Sequence, residues 1–315
     1  MAGREQLASL PKPVALVLAG GASLGSIQVG MLRALLEMGF EPDMIVGTSV
    51  GAINGAFMAR EFSMAQLDRL EEIWRGITTE DVFPRRGVIE LAGSFLGSEG
   101  RHIASKRGLE ALAGEHLPES HDELVVPTTL IASDILTGEK ILLSEGDLRT
   151  HMVTSASIPG VFPPVELGER VLVDGGVVAN VPVLPARHLG AKSLVVLDPG
   201  YPCALEEAPT SRLGYALHIV TLMIRHQSFG VLHFLEEESV VVYVPPPCPI
   251  KVAPHNFSAT DELIEQGYSG AVDFLSDLDV DGNGIYGHPH FHGLDADIVE
   301  AEDYASSGTS SIESL

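Results

Sequence analysis

The chain has 315 residues, 45% of them apolar, with 33 glycines and 20 prolines, enough to fill one large α/β core joined by many short connections. Its 19 basic residues face 43 acidic ones, and the resulting net charge of −24 excludes nucleic acid as a partner and disfavours an anionic membrane surface. Cys203 and Cys248 make no disulfide framework and are expected as free thiols. With no charged-then-apolar leader and no apolar run near the ~20 residues that span a bilayer, the expectation is a soluble, cytoplasmic protein.

Residues 1–12 read as a short N-terminal tail running into Pro11 and Pro13. The apolar run Val14–Leu18 predicts a strand, followed by Ala19-Gly20-Gly21-Ala22-Ser23-Leu24-Gly25 and a helix from about Ser26 to Met38, with Ile27, Met31, Leu35 and Met38 on one face. Side chains this small leave backbone N–H groups exposed at the positive end of a helix. Such a loop suits a negative oxygen, either a phosphate or the oxyanion of an acyl transfer, and a plain strand-to-helix turn is the alternative. Gly20, position 22 and Gly25 nearly spell a dinucleotide motif. Against that reading, Ala22 carries a methyl where pyrophosphate must approach, and Asp43 precedes the second strand instead of ending it.

Met44-Ile45-Val46 then runs into Gly47-Thr48-Ser49-Val50-Gly51 and a helical Ala52–Ala59. A strand that turns into a helix between two glycines tolerates the strained backbone that lifts a hydroxyl clear of a sheet. Ser49 is therefore a candidate nucleophile, with an ordinary helix N-cap as the plainer reading. Met64–Ile77 reads as an amphipathic helix with Leu67, Leu70 and Trp74 inward. Residues 78–108 are irregular, a candidate flap or surface connection, and hold the basic clusters Arg85-Arg86 and Arg101 to Arg107. Thr128–Ile135 and Lys140–Leu143 predict a strand pair around Thr137-Gly138.

Val171-Leu172-Val173 is a short strand ending in Asp174-Gly175-Gly176, a carboxylate able to accept a proton beside glycines that admit close backbone. Ser193–Leu197 and Val240–Val244 add strands, and Arg212–Phe234 adds a helix bearing His218, Arg225, His226 and His233. Ser258-Ala259-Thr260-Asp261 has capping-box spacing and opens a helix to about Leu275. Strands alternating with helices predict a three-layer α/β/α domain over residues 13–276 with a largely parallel central sheet.

The glycine-rich loop after the first strand, Gly-x-Ser-x-Gly after the second and the later Asp-Gly-Gly resemble, in this order, the patatin-like phospholipase family. Ile131-Ala132-Ser133-Asp134, Ser155-Ala156-Ser157-Ile158-Pro159-Gly160-Val161-Phe162-Pro163-Pro164 and Val177-Val178-Ala179-Asn180-Val181-Pro182 are also similar to it, and the likeness runs from about Val14 to about Leu275. The resemblance implies a serine lipid acyl hydrolase in which Ser49 and Asp174 form a dyad, with Gly47, Gly51, Gly175 and Gly176 as motif glycines. It further implies amides of Gly20, Gly21 and Ala22 around the oxyanion, no histidine and no cofactor, a lipid or acyl-ester substrate, and transient contact with a membrane surface. Two departures stand out: Ala22 replaces the third loop glycine, and Leu24 stands where Arg or Lys is usual.

Two other readings remain. An α/β-hydrolase would draw a base from His188, His218, His226, His233 or His255, all after Asp174. A catalytically silent lipid-binding or regulatory protein would keep the scaffold alone. Residues 277–315 read as an acidic, His-containing C-terminal tail, partly disordered and Ser-rich from Ser306. Asp279-Val280-Asp281-Gly282-Asn283-Gly284 matches half of a calcium loop. Its twelfth position, however, is His290 instead of a bidentate Glu, so no metal is assigned, even with His288, His290 and His292 alternating.

Overall fold

The computed structural model describes residues 2–82, 105–203, 215, 218–224, 235 and 238–289. Arg85-Arg86, Arg101, most of the candidate flap, most of Arg212–Phe234 with His226 and His233, and His290, His292 and Ser306–Leu315 fall outside them.

The strands are β1 (Val14–Leu18), β2 (Met44–Thr48), β3 (Thr128–Asp134), β4 (Lys140–Leu143), β5 (Val165–Leu167), β6 (Arg170–Asp174), β7 (Ser193–Leu197), β8 (Val240–Val244) and β9 (Gly284–Gly287). They form one sheet in the order β5-β6-β3-β2-β1-β7-β8-β9, with β4 also paired to β3. From β3 across to β9 every neighbour is parallel. The pairs β3–β4, β3–β6 and β5–β6 are antiparallel, so the parallel sheet carries an antiparallel edge.

All residues of β1, β7 and β8 are buried, the reason these strands read as continuous apolar runs. Successive side chains point to opposite faces. Leu16 and Leu18 pack on the side of α1 (Ala2–Ala8), α2 (Gly25–Glu37), α3 (Val50–Met58) and α4 (Met64–Gly76). The short α5 (Thr79–Val82) follows α4, and α6 (Arg107–His116) and α7 (Leu148–Ser155) complete the same side with a later helix. Ala15 and Val17 face α8 (Gly176–Ala179) and α9 (Val183–His188). The later helix is α10 (Thr260–Ser276), and the whole is the expected three-layer α/β/α arrangement.

Three expectations need correction. The first residues are not a free tail: α1 buries Leu7, Leu10 is buried just beyond it, and Arg4 donates to Glu37 O at 2.7 Å. Residues 277–289 are not a loose extension either, because β9 adds to the sheet edge and the Asp279 carboxylate accepts from Gln6 at 3.2 Å. Ser258 does not cap α10; its hydroxyl turns back to Asn256 Oδ1 at 2.8 Å, and Ala259 occupies the cap position.

Helix α10 lies directly on α2 through two glycines. A Cβ at Gly30 would overlap Ile264 O, and one at Gly267 would overlap Ile27 O. Gly30→Ala is therefore expected to destabilise the fold by about 3 kcal/mol, read as a lower urea midpoint with an unchanged denaturant slope.

Candidate active site

Ser49 sits at the C-terminal edge of the sheet between β2 and α3, only 7% exposed, with φ 54° and ψ −123°. A non-glycine residue with positive φ is strained by about 1–3 kcal/mol, and its neighbours hold it there. The Ser49 amide donates to Ser155 Oγ at 3.1 Å, and Ser155 Oγ donates in turn to Ile131 O at 2.6 Å. The Ser49 carbonyl accepts from Ala52 and Ile53, opening α3. Gly47 and Gly51 are required by space: a Cβ at Gly47 would stand 2.5 Å from Gly51 O, and one at Gly51 would overlap Leu18 O at the end of β1.

Asp174 ends β6, 5% exposed, opposite Ala132 of β3. Its amide donates to Ser157 O at 2.9 Å and its carbonyl accepts from Ser133 Oγ at 2.8 Å. Oδ1 takes the Gly176 amide at 2.7 Å. The Ser49 hydroxyl lies near enough to draw the Asp174 pKa down as a donor does, yet Oδ2 closes no hydrogen bond of full geometry among the described residues. The two groups are therefore neighbours short of a closed bond. Burial dominates the titration and pushes the carboxyl from 3.8 up to about 6, against the opposing pull of Ser49 and Gly176.

The glycine loop lies beside Ser49. A Cβ at Gly20 would stand 3.2 Å from Ser49 Cβ and collide with Asn180 Oδ1. The Gly20 amide already donates to Asn180 O at 3.1 Å, which corrects its expected place among the free donors. The amides of Gly21 and Ala22 close no such bond among the described residues and precede α2, whose N-terminal end adds positive potential. Ala22 adopts φ 51°, so the residue replacing the family's glycine carries left-handed strain. Leu24 is buried in the core cluster.

From Ser49 and Ala22 an apolar pocket runs between α3, α4, α6 and α7, walled by Ile53, Phe57, Trp74, Leu112, Met152 and Phe257. Helix α6 has no counterpart in the sequence reading, although Leu109, Leu112 and Ala113 follow helical spacing. His116 reaches the same wall, its ring edge-on to Phe57 with centroids 6.3 Å apart. Among the described residues no bond joins a histidine to Ser49 or Asp174; His255 offers its carbonyl to Thr79, and His188 closes α9. Asp43 accepts from Val14 N at 2.7 Å, at the end of β1 opposite the glycine loop, which removes it from any ribose site. Ser155, Ser157 and Asn180 were visible only as family-like letters; their bonds show what each holds in place.

The fold and the serine on a strained strand-to-helix turn define an α/β protein with a hydrolase-like elbow. The chain matches the family Patatin-like phospholipase over residues 16–187, more than half its length, and it belongs to that family. It is 31% identical over 214 residues to patatin-like phospholipase domain-containing protein 7 of Rattus norvegicus, covering 65% of this chain and 14% of that protein. An uncharacterized NTE family protein of Mycobacterium tuberculosis is 29% identical over 185 residues, covering 59% of this chain and 48% of its own length. The human GIVD cytosolic phospholipase A2 structure aligns at a TM-score of 0.44 and 11% identity, over 87% of this chain and 60% of that one. No helix among the described residues is long and apolar enough to cross a membrane.

The raised Asp174 pKa sets a testable sign. A carboxyl whose pKa is higher in the fold favours the native state at low pH, and that advantage is lost as pH rises from 3.8 through about 6. Asp174→Asn is thus expected to stabilise the protein by roughly 3 kcal/mol at neutral to mildly alkaline pH and by much less near the ordinary carboxylate range, read by urea unfolding across pH.

Proposed function

We propose that the protein is a serine acyl hydrolase that cleaves carboxylic esters of lipids, with Ser49 as nucleophile and Asp174 as its base. The observation that carries this reading is that one apolar pocket opens on Ser49 and Ala22 together, with Asp174 buried beside the serine. Above about pH 6 the Asp174 carboxylate is ionised and accepts the Ser49 proton as Oγ attacks the ester carbonyl. The oxyanion forms against the Gly21 and Ala22 amides. The proton then passes from Asp174 to the leaving alcohol; water, deprotonated by the same carboxylate, attacks the acyl-enzyme, and the proton returns from Asp174 to Ser49 Oγ as the acid leaves. Histidine has no part in this sequence.

Among the described residues the pocket wall is almost wholly apolar, with His116 at one side, which suits a fatty acyl chain better than a sugar or peptide. On this reading the head group stays outside, where brief contact with a lipid surface delivers it.

Ser49→Ala is expected to abolish turnover of a chromogenic fatty-acyl ester and labelling by a fluorophosphonate probe while circular dichroism is unchanged; undiminished turnover defeats the mechanism. Wild-type kcat/KM is expected to fall as pH drops below about 6, in step with protonation of Asp174. Folded protein that hydrolyses no ester and takes no probe would favour the silent lipid-binding alternative. Narrowing the pocket by Ile53→Phe is expected to cut kcat/KM for long-chain esters about tenfold against short-chain ones; equal loss for both argues that the acyl chain lies elsewhere.

A further inference from the structure

Cys203 and Cys248, far apart in the chain, come together. Cys203 follows β7 and Cys248 follows β8, and the two segments run side by side. The Cys203 amide donates to Ile250 O at 3.2 Å, and the Ile250 amide donates to Cys203 Sγ at 3.3 Å. A Cβ at Gly200 would stand 2.9 Å from Pro246 Cβ, so the segments touch along their length. The backbone pairing with Ile250 sets the two cysteines on adjoining segments, with Cys248 exposed and Cys203 half-buried.

Both segments also back the glycine loop. Pro199 of the first packs on Gly21, where an added Cβ would be 2.5 Å from Pro199 Cγ. On the second, Pro254 O accepts the Ser23 amide at 2.9 Å.

We propose that Cys203 and Cys248 are an oxidation site, a dithiol that closes to an intramolecular disulfide and ties the β7 and β8 segments together behind the Gly20-Gly21 loop. The oxidant is a small disulfide such as oxidised glutathione. The exposed Cys248 thiolate attacks one glutathione sulfur, forming a mixed disulfide and releasing one glutathione as thiolate, which takes up the proton Cys248 lost. The Cys203 thiolate then attacks Cys248 Sγ and releases the second glutathione. Two protein thiols lose two electrons and two protons, and one oxidised glutathione becomes two reduced ones. Partial desolvation, and then the adjacent Cys203, hold the Cys248 thiol above its ordinary pKa, so closure quickens with rising pH.

The test treats the full chain with excess oxidised glutathione at about pH 8, quenches with acid and maps the peptides by mass. Expected is loss of both free thiols, the Cys203 and Cys248 peptides joined within one chain, and no glutathione retained. Cys203→Ser is expected to stop at the mixed disulfide, with one glutathione held on Cys248. Wild-type protein that keeps glutathione on Cys248, or joins these peptides only between copies, overturns the proposal. The wild-type masses decide the matter without the variant, and they do not depend on the chemistry at Ser49.

Discussion

At the C-terminal edge of the sheet three stretches of backbone approach more closely than any side chain permits. Gly51 rests against Leu18 O at the end of β1, and Gly47 rests against the carbonyl of Gly51 one turn on. The glycines thus let α3 start directly over β1, with Ser49, the middle of the three residues between them, at φ 54°. The cost of that conformation, about 1–3 kcal/mol, is offset by bonds that would be broken if the turn relaxed. Ser155 holds the Ser49 amide from one side, and the first turn of α3 holds its carbonyl from the other. Thr48 Oγ1, donating to Ala179 O at 2.9 Å, fixes the preceding residue to the segment that follows Asp174. The serine and the carboxylate are therefore located by a shared frame, independent of any bond between them.

Beneath this turn lies a buried polar chain. Gln28 Nε2 donates to Ala19 O at 2.8 Å and Leu197 O at 3.0 Å, joining the ends of β1 and β7. Asn54 donates to Gln28 Oε1 at 2.9 Å and accepts from Trp74 Nε1 at 2.9 Å. Every member is buried and partnered, the condition under which such a network stiffens a core. It links the strand ends below the glycine loop to Trp74, a wall of the apolar pocket. The loop and the pocket are thereby held by one set of bonds, which favours a single arrangement of the two.

How much of this was legible in the chain depends on how local the signal is. Val14–Leu18, Ser193–Leu197 and Val240–Val244 were readable to the residue because strands buried on both faces leave no polar interruption. The Ser49 turn was readable because glycine spacing reports backbone geometry directly. Gly20 was misassigned as a free donor because its partner, Asn180 O, is remote in sequence and offers a backbone atom, on which letters are silent. Gly30 and Gly267 passed unnoticed for the same reason: each serves the helix opposite. Helix α1 and strand β9 went unread in the sequence because both are short and are held by contacts between residues remote in sequence, as the Gln6–Asp279 bond shows.

The buried carboxylate bears on why a second base is dispensable in the proposed chemistry. An aspartate near its ordinary pKa of 3.8 is a poor match for a serine proton at neutral pH, whereas one raised to about 6 is about a hundredfold more basic and still mostly ionised there. Burial alone would raise it further and favour the protonated form, which cannot act as a base. The nearby Ser49 hydroxyl, and then the Gly176 amide on Oδ1, oppose that rise by favouring the charged form, while Oδ2 keeps its acceptor capacity. The fold thus tolerates a destabilising charge at the one atom that has to take a proton. A fully satisfied carboxylate in the same place would give a more stable protein and a weaker base.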